Sequence, residues 1–387
     1  MKRITLLVLS CLFVSIGMAQ NVNTITSELE NILKQKSDEL VDVNIYFKSQ
    51  MPTEHLTYLN VKSDSKEVRR EIVINELKKF SQQQQESVMS VINAETRSNN
   101  VTDVKSHWIV NSINCKASRD VIYTLASHPD IKHIDYNKEE TMFQGEDKEL
   151  NGQEVRGSVS SMSDNITHVQ AEKVWDLGYT GKGVIVAVID SGINTDHVDL
   201  KDHLWYDESA QYPGYNFVFP GQNPTDDNGH GTHCSGTVCG DGTSGLTTGM
   251  APNATLMPLK ITNRSTGIGA GMDRMIDAIE YATDNGADII SISIGWWATS
   301  AANRQTFRQA FENTLQAGIV VAAAAGNNRE SLATYPAPNN INSPADCPPP
   351  YLHSDQTIQG GLTSVISVGA VDENNVIAGI SSQGPVT

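Results

Sequence analysis

Two hydrophobic periodicities divide the chain into differently built halves. In the first, residues 41–47, 107–113 and 131–136 alternate apolar and polar positions with a period of two, the pattern of a half-buried strand. Between them, residues 66–95 and 119–127 carry apolar side chains at helical spacing. The order β-α-β-α-β, with room for one more strand, predicts a small α+β module of the ferredoxin-like kind. Gln82-Gln83-Gln84-Gln85 sit inside the long helical stretch without a chemistry of their own. In the second half, short runs are apolar at almost every position: 184–189, 254–259, 289–294, 319–325 and 365–371. Helix-like stretches such as 272–285 and 303–317 lie between them. Strands apolar on both faces that alternate with helices predict an α/β, doubly wound parallel sheet with helices on both sides.

The remaining segments complete the organisation. Lys2 and Arg3, an apolar stretch over 4–16 and Gly17-Met18-Ala19 read as a secretory signal over 1–19, shorter than the ~20 residues a membrane span needs. The module is expected over 20–143. A polar stretch rich in Glu, Gly, Ser and Asp predicts an exposed linker over 144–165, and the α/β unit is expected over 166–387. Residues 335–350, rich in Pro and Asn, read as a surface insertion. The net charge of −17 comes from 28 Lys and Arg against 45 Asp and Glu, with no basic stripe. That argues against generic nucleic-acid binding. Apart from Cys11 in the signal, Cys115, Cys234, Cys239 and Cys347 are too sparse for a disulfide framework.

Ligands of doubly wound sheets sit beyond the carboxyl ends of the strands, so the polar groups that follow each run are the candidate chemistry. Asp190 follows the first run, Ser293 and Gly295 close the third, and Gly326 and Asn327 end the fourth. His230 lies in Asn228-Gly229-His230-Gly231-Thr232-His233, where the small residues after it predict a helix that begins near the histidine. A histidine next to a buried carboxylate suits a general base, and the Asn327 amide suits a developing oxyanion. Asp190 alone also reads as a helix N-cap, and Asn327 as a turn residue. His230, His233, Cys234 and Cys239 offer zinc-type ligands, although residues five apart lie about 140° round a helix.

Asp190-Ser191-Gly192, Asn228-Gly229-His230-Gly231-Thr232-His233-Cys234-Ser235-Gly236, Ser293-Ile294-Gly295 and Ala324-Ala325-Gly326-Asn327 follow one another in the order found in subtilisin-like serine proteases. The chain therefore resembles the subtilases (peptidase S8). The resemblance implies that Asp190 orients the base, His230 is the base and Asn327 is the oxyanion donor. It implies that Ile268, Gly269 and Ala270 on one side, and Ser293, Ile294 and Gly295 on the other, pair with an extended substrate. Ala324, Ala325 and Gly326 would wall the first specificity pocket, with Thr334 near its base and an apolar residue before the scissile bond. The upstream module would be a propeptide, an intramolecular inhibitor removed by a cut in the linker. Asp199 matches a position that helps bind structural calcium in some subtilases, although the 240–249 loop departs from the pattern; no other cofactor is required.

The family's nucleophile lies in a Gly-Thr-Ser-Met-Ala segment, which is expected beyond Thr387. Gly242-Thr243-Ser244 lacks the Met-Ala and falls before the substrate strands, and Ser381 and Ser382 match a structural strand. The resemblance thus implies a secreted, monomeric serine endopeptidase precursor that acts on proteins or peptides, with neither nucleic acid nor membrane as partner. Competing classes are an inactive, truncated chain that only binds, and a zinc hydrolase at His230 and His233.

Overall fold

The structure is a computed structural model that describes residues 24–36, 39–60, 65–139, 162–207, 210–296, 301–329, 336, 340–347 and 364–384. The expected signal, residues 144–161 of the expected linker, and Thr334 lie outside the described residues.

The first unit runs α1 (Ser27–Gln35), β1 (Val41–Phe47), α2 (Thr53–Asn60), α3 (Lys66–Thr96), β2 (Val101–His107), β3 (Ser112–Ala117), α4 (Arg119–Ala126) and β4 (Ile131–Tyr136). Its strands form one sheet in the order β2-β3-β1-β4, with every neighbouring pair antiparallel. Residues 107–113 are not one strand, as their alternation predicts. They are the ends of β2 and β3 with the intervening turn, and Gln85 holds that turn through Nε2, which donates to His107 O at 2.9 Å and to Ser112 O at 3.2 Å. The turn carries apolar Ile109 and Val110, both buried in the core shared with the second unit, so the sequence shows no polar break between the two strands.

Helix α3 starts where Ser65 Oγ accepts from Val68 N, an N-cap. Its buried positions Val73, Leu77, Ser81, Gln85, Val88 and Ile92 make one stripe along its length. Val88 and Ile92 cover the module's own sheet, whereas Val73 and Leu77 pack into the core of the second unit. One helix face thus ties the two units together.

The second unit begins earlier than the predicted boundary. Ser163 N donates to Thr247 O, and α5 (Asp164–Val169) and α6 (Ala171–Trp175) precede the sheet. The sheet comprises β5 (Ile185–Asp190), β6 (Tyr215–Asn216), β7 (Thr255–Lys260), β8 (Ile289–Ile292), β9 (Val320–Ala324) and β10 (Ile366–Val368) in the order β10-β9-β8-β5-β7-β6, all parallel. Along β5, Ala187 and Ile189 face α8 (Met272–Asp284) and α9 (Ala301–Gln316), while Val186 and Val188 face α7 (His230–Cys239). Helices therefore cover both faces, the doubly wound α/β arrangement. At the β9–β10 end, Val320, Ile366 and Val368 stay exposed. The four described cysteines are all free.

Candidate active site

Because β8, β5 and β9 are parallel neighbours, their carboxyl ends open on one rim. Asp190 closes β5 and is only 1 % exposed. His230 is the first residue of α7, and its Nδ1 lies 2.7 Å from Asp190 Oδ1, which also accepts from Ser191 N at 2.7 Å. Asp190 Oδ2 has no partner among the described residues. The pair can approach this closely because position 231 is glycine: a Cβ there would sit 2.1 Å from Gly192 O and 3.2 Å from Asp190 Cβ. The imidazole, 33 % exposed, is buried on its Nδ1 side. The hydrogen bond that Nδ1 donates to Asp190 is the main cause that holds its pKa above the ordinary value, and Cys234, with Sγ 3.8 Å from Nδ1, adds to it. A carboxylate on Nδ1 leaves Nε2 as the nitrogen that exchanges a proton with a substrate-side group, and it stabilises the imidazolium once formed.

Two aspartates just upstream of the histidine motif, which the sequence reading passed over, build the frame around this pair. Asp226 accepts from Ser191 Oγ at 2.9 Å, Asn228 N at 3.0 Å, Gly229 N at 2.9 Å, Thr232 N at 2.9 Å and Thr232 Oγ1 at 2.6 Å. Burial pushes its carboxyl up, but these donors outweigh it and hold the pKa below the usual carboxylate range. Ser191 Oγ in turn accepts from Gly231 N at 2.9 Å, so the Asp190 turn and the His230 turn share one carboxylate. Asp227 pairs with the buried Lys260, which ends β7 and donates also to Ser191 O. Their place directly before Asn228 was the available signal, and only the tertiary contacts give it meaning.

The expected substrate strands come together unevenly. Asn263 and Ile268 pair as an antiparallel turn. Gly269 O accepts from Arg274 Nη2 at 2.6 Å, and the same Nη2 holds Glu139, just past β4, at 2.7 Å. Ala270 is buried, and its carbonyl accepts from Trp296 Nε1 at 3.1 Å. Trp296 is thus a packing residue that links the two walls, and it stacks on Phe307 at 5.4 Å. Ser293 and Gly295 stay half-buried beyond β8, with Ile294 buried between them.

Asn327 is exposed on the rim, after Ala324, Ala325 and Gly326. Within the expected surface insertion Pro336 is exposed, but residues 342–347 are instead buried. Asn342, 4 % exposed, lies between the two glycines: a Cβ on Gly326 would meet its Cγ at 2.7 Å, and one on Gly295 its Cβ at 2.9 Å. Asn342 N donates to Ala325 O at 2.9 Å, and its Oδ1 accepts from Asn328. Proline and asparagine content signals irregular backbone, not exposure, and this segment satisfies its polar groups internally.

Asp199 sits apart from the rim, and both its oxygens accept from Ser244, Oδ1 from the amide at 2.5 Å and Oδ2 from Oγ at 2.7 Å. That contact gives Ser244 a structural role away from His230. His233 is exposed and joins no ligand cluster with His230 among the described residues. Cys239 is fully buried in the core beneath α7. The His230–His233 zinc reading therefore has no geometric support here.

Residues 181–387 match the family described as peptidase S8, the subtilase family. The chain is similar to subtilisin DY of Bacillus licheniformis, 39 % identical over 217 residues that are 56 % of this chain and 66 % of that protein. The minor extracellular protease Vpr of Bacillus subtilis is 34 % identical over 192 residues, 46 % of this chain and 22 % of its own length. Bacillopeptidase F of Bacillus subtilis is 26 % identical over 400 residues, which take in 94 % of this chain and 26 % of that protein. The chain thus spans between about a fifth and just under two-thirds of these relatives.

Proposed function

The chain belongs to the subtilase family, and on that premise we propose that it functions as a secreted serine endopeptidase precursor whose first unit restrains its second. The observation that carries the proposal is the 2.7 Å contact between His230 Nδ1 and Asp190 Oδ1 at the shared rim of adjacent parallel strands. In this reading Nε2 of His230 takes the proton of a serine hydroxyl as the serine attacks the scissile carbonyl, then returns it to the leaving amine. Asn327, on the rim, donates its amide to the oxyanion. The acyl-enzyme is hydrolysed by water through the same base, and no cofactor is required.

No described hydroxyl hydrogen-bonds to Nε2 of His230, and the reading assigns the nucleophile to a serine in a Gly-Thr-Ser-Met-Ala segment of the complete gene product. The test is to label protein expressed from the complete reading frame with a fluorophosphonate and to map the modified residue. Label on that serine, lost in His230→Ala, supports the reading. Absence of label would overturn it in favour of a chain that only binds, and label on Ser244 would overturn the assignment of the nucleophile.

The restraining role of the first unit rests on two contacts. Its β2–β3 turn offers Trp108 N and Ile109 N to Glu280 Oε1, and Glu139, which follows β4, shares Arg274 with the Gly269 carbonyl. Its exit thus runs beside the proposed substrate strand. Export is supported by the charged and apolar N-terminus and by likeness to a protease named as extracellular.

The Asn342 side chain between Gly295 and Gly326 changes the expected cleavage preference. We propose that it makes the first pocket shallow, so that a small residue precedes the scissile bond. Asn342→Gly is expected to shift kcat/KM toward large apolar residues by at least about tenfold, the effect of ~1–3 kcal/mol of pocket contact. Peptides varied only at that position measure it, and an unchanged ranking would refute the assignment.

A further inference from the structure

Outside the rim, one cluster of ligating side chains lies at the seam between the two units. His107 ends β2 and is 2 % exposed, yet neither ring nitrogen has a hydrogen-bond partner among the described residues. Its Nδ1 faces two carboxylates on successive turns of α8, Asp277 Oδ1 at 3.5 Å and Glu280 Oε2 at 3.6 Å. All three atoms lie within 4.8 Å of one another. The two distances from His107 are long for hydrogen bonds but close to the edge of a zinc tetrahedron. Ligands ~2.0–2.1 Å from the metal stand roughly 3.3–3.4 Å apart at tetrahedral angles.

The two carboxylates are held from behind, while a metal on Nδ1 would leave Nε2 to a water. Among the described residues, each carboxylate has one oxygen fixed by donors and the other facing only His107. Asp277 Oδ2 accepts from Lys105 Nζ at 2.7 Å, and Glu280 Oε1 accepts from the amides of Trp108 and Ile109. The free oxygens are the two that face His107, and the contacts behind them fix their direction, as outer-shell partners of a metal do. Lys105 also reaches Asp273 Oδ2 at 3.2 Å. Asp273, Asp277 and Glu280 face Lys105, and Arg274 acts on Asp273 as well, so the cluster stays net negative toward His107, which favours a cation there.

We propose that His107, Asp277 and Glu280 bind a divalent metal of the zinc class, with water as fourth ligand, and so clamp the first unit to α8. One imidazole with two single carboxylate oxygens is a borderline donor set, which suits zinc better than calcium, a cation that takes six or more oxygens. Because one ligand comes from the first unit and two from the second, metal affinity and docking of the units are linked. The inference rests on the docked arrangement alone and not on the hydrolytic reading, so the two fail separately.

The test uses the full chain, stripped with chelator and titrated with zinc chloride against a chromophoric competitor, then with cobalt for its absorption spectrum. A second ligand group, Asp190, His230 and Cys234, makes a thiol control necessary. One interfacial equivalent is expected, with a cobalt spectrum free of a thiolate charge-transfer band. Affinity is expected to fall at least about 100-fold in His107→Ala and Asp277→Asn and to stay unchanged in Cys234→Ser. Zinc is also expected to raise the melting temperature of the parent chain but not of Asp277→Asn, a substitution at a partly exposed position that leaves the core intact. Failure to bind zinc, equal affinity in the parent chain and Asp277→Asn, or loss confined to Cys234→Ser would each overturn the proposal. The first outcome would leave a proton as the group that satisfies His107.

Discussion

Asp190→Asn in the complete gene product is expected to cut kcat by about 10⁴-fold while the fold survives, the loss found when the orienting carboxylate of a Ser-His-Asp triad becomes an amide. The reason is local. Asp190 Oδ1 accepts from His230 Nδ1 at 2.7 Å, and an amide nitrogen in that place would favour the wrong tautomer and withdraw the charge that stabilises the imidazolium. The change also has a signature in stability. The pKa of His230 is raised in the folded chain, chiefly by Asp190. A raised pKa contributes stability that is fully present below the unfolded value of ~6.5 and is lost as pH rises through the folded value. The stability difference between parent and variant should therefore be greatest in mild acid and narrow at alkaline pH. Urea unfolding across that range and peptide hydrolysis under saturating substrate check the two parts. A variant within tenfold of the parent in kcat would remove Asp190 from the mechanism.

Asp226→Ala is expected to cost ~3 kcal/mol of stability, a large loss for a polar side chain outside the reacting groups. Its carboxylate accepts from three backbone amides and two hydroxyls, and alanine leaves the amides of Asn228, Gly229 and Thr232 without their acceptor. The pKa of Asp226 is lowered, so its contribution is present above the unfolded value of ~3.9 and disappears as pH falls through the folded value. Parent and Asp226→Ala should thus converge in strong acid. Because the same carboxylate joins the Ser191 and Thr232 turns, kcat should fall with stability, and Asp226→Asn should retain part of both. A loss below ~0.5 kcal/mol in urea unfolding would show that water replaces the carboxylate fully.

Asp226 also marks where sequence reasoning stopped. Asp190 and His230 were legible because each stands at the end of a recognisable element, an all-apolar run and a small-residue helix. Asp226 and Asp227 belong to an irregular loop, where no periodicity distinguishes a carboxylate that gathers donors from one that faces water. Asn342 was misread for a related reason: proline and asparagine disclose irregular backbone, and burial depends on what packs against it. The strand at β1 was recovered to the residue, whereas 107–113 merged two strand ends and a turn, because the turn residues Ile109 and Val110 are apolar and pack into the core shared with the second unit.

By itself the sequence determined the layered α/β architecture, the smaller unit before it and the order of the polar groups along one rim. Those features depend on local periodicity and on strand ends, which neighbouring residues specify. Only the tertiary structure decided that α3 ties both units through one face, that Asp226 joins the Asp190 and His230 turns, that Asn342 fills the space between two glycines, and that His107 meets two carboxylates of α8. Each of these joins residues far apart in sequence. Their energy comes from burial and directed polar contacts that exist only once the chain has folded, so no pattern along the chain encodes them singly.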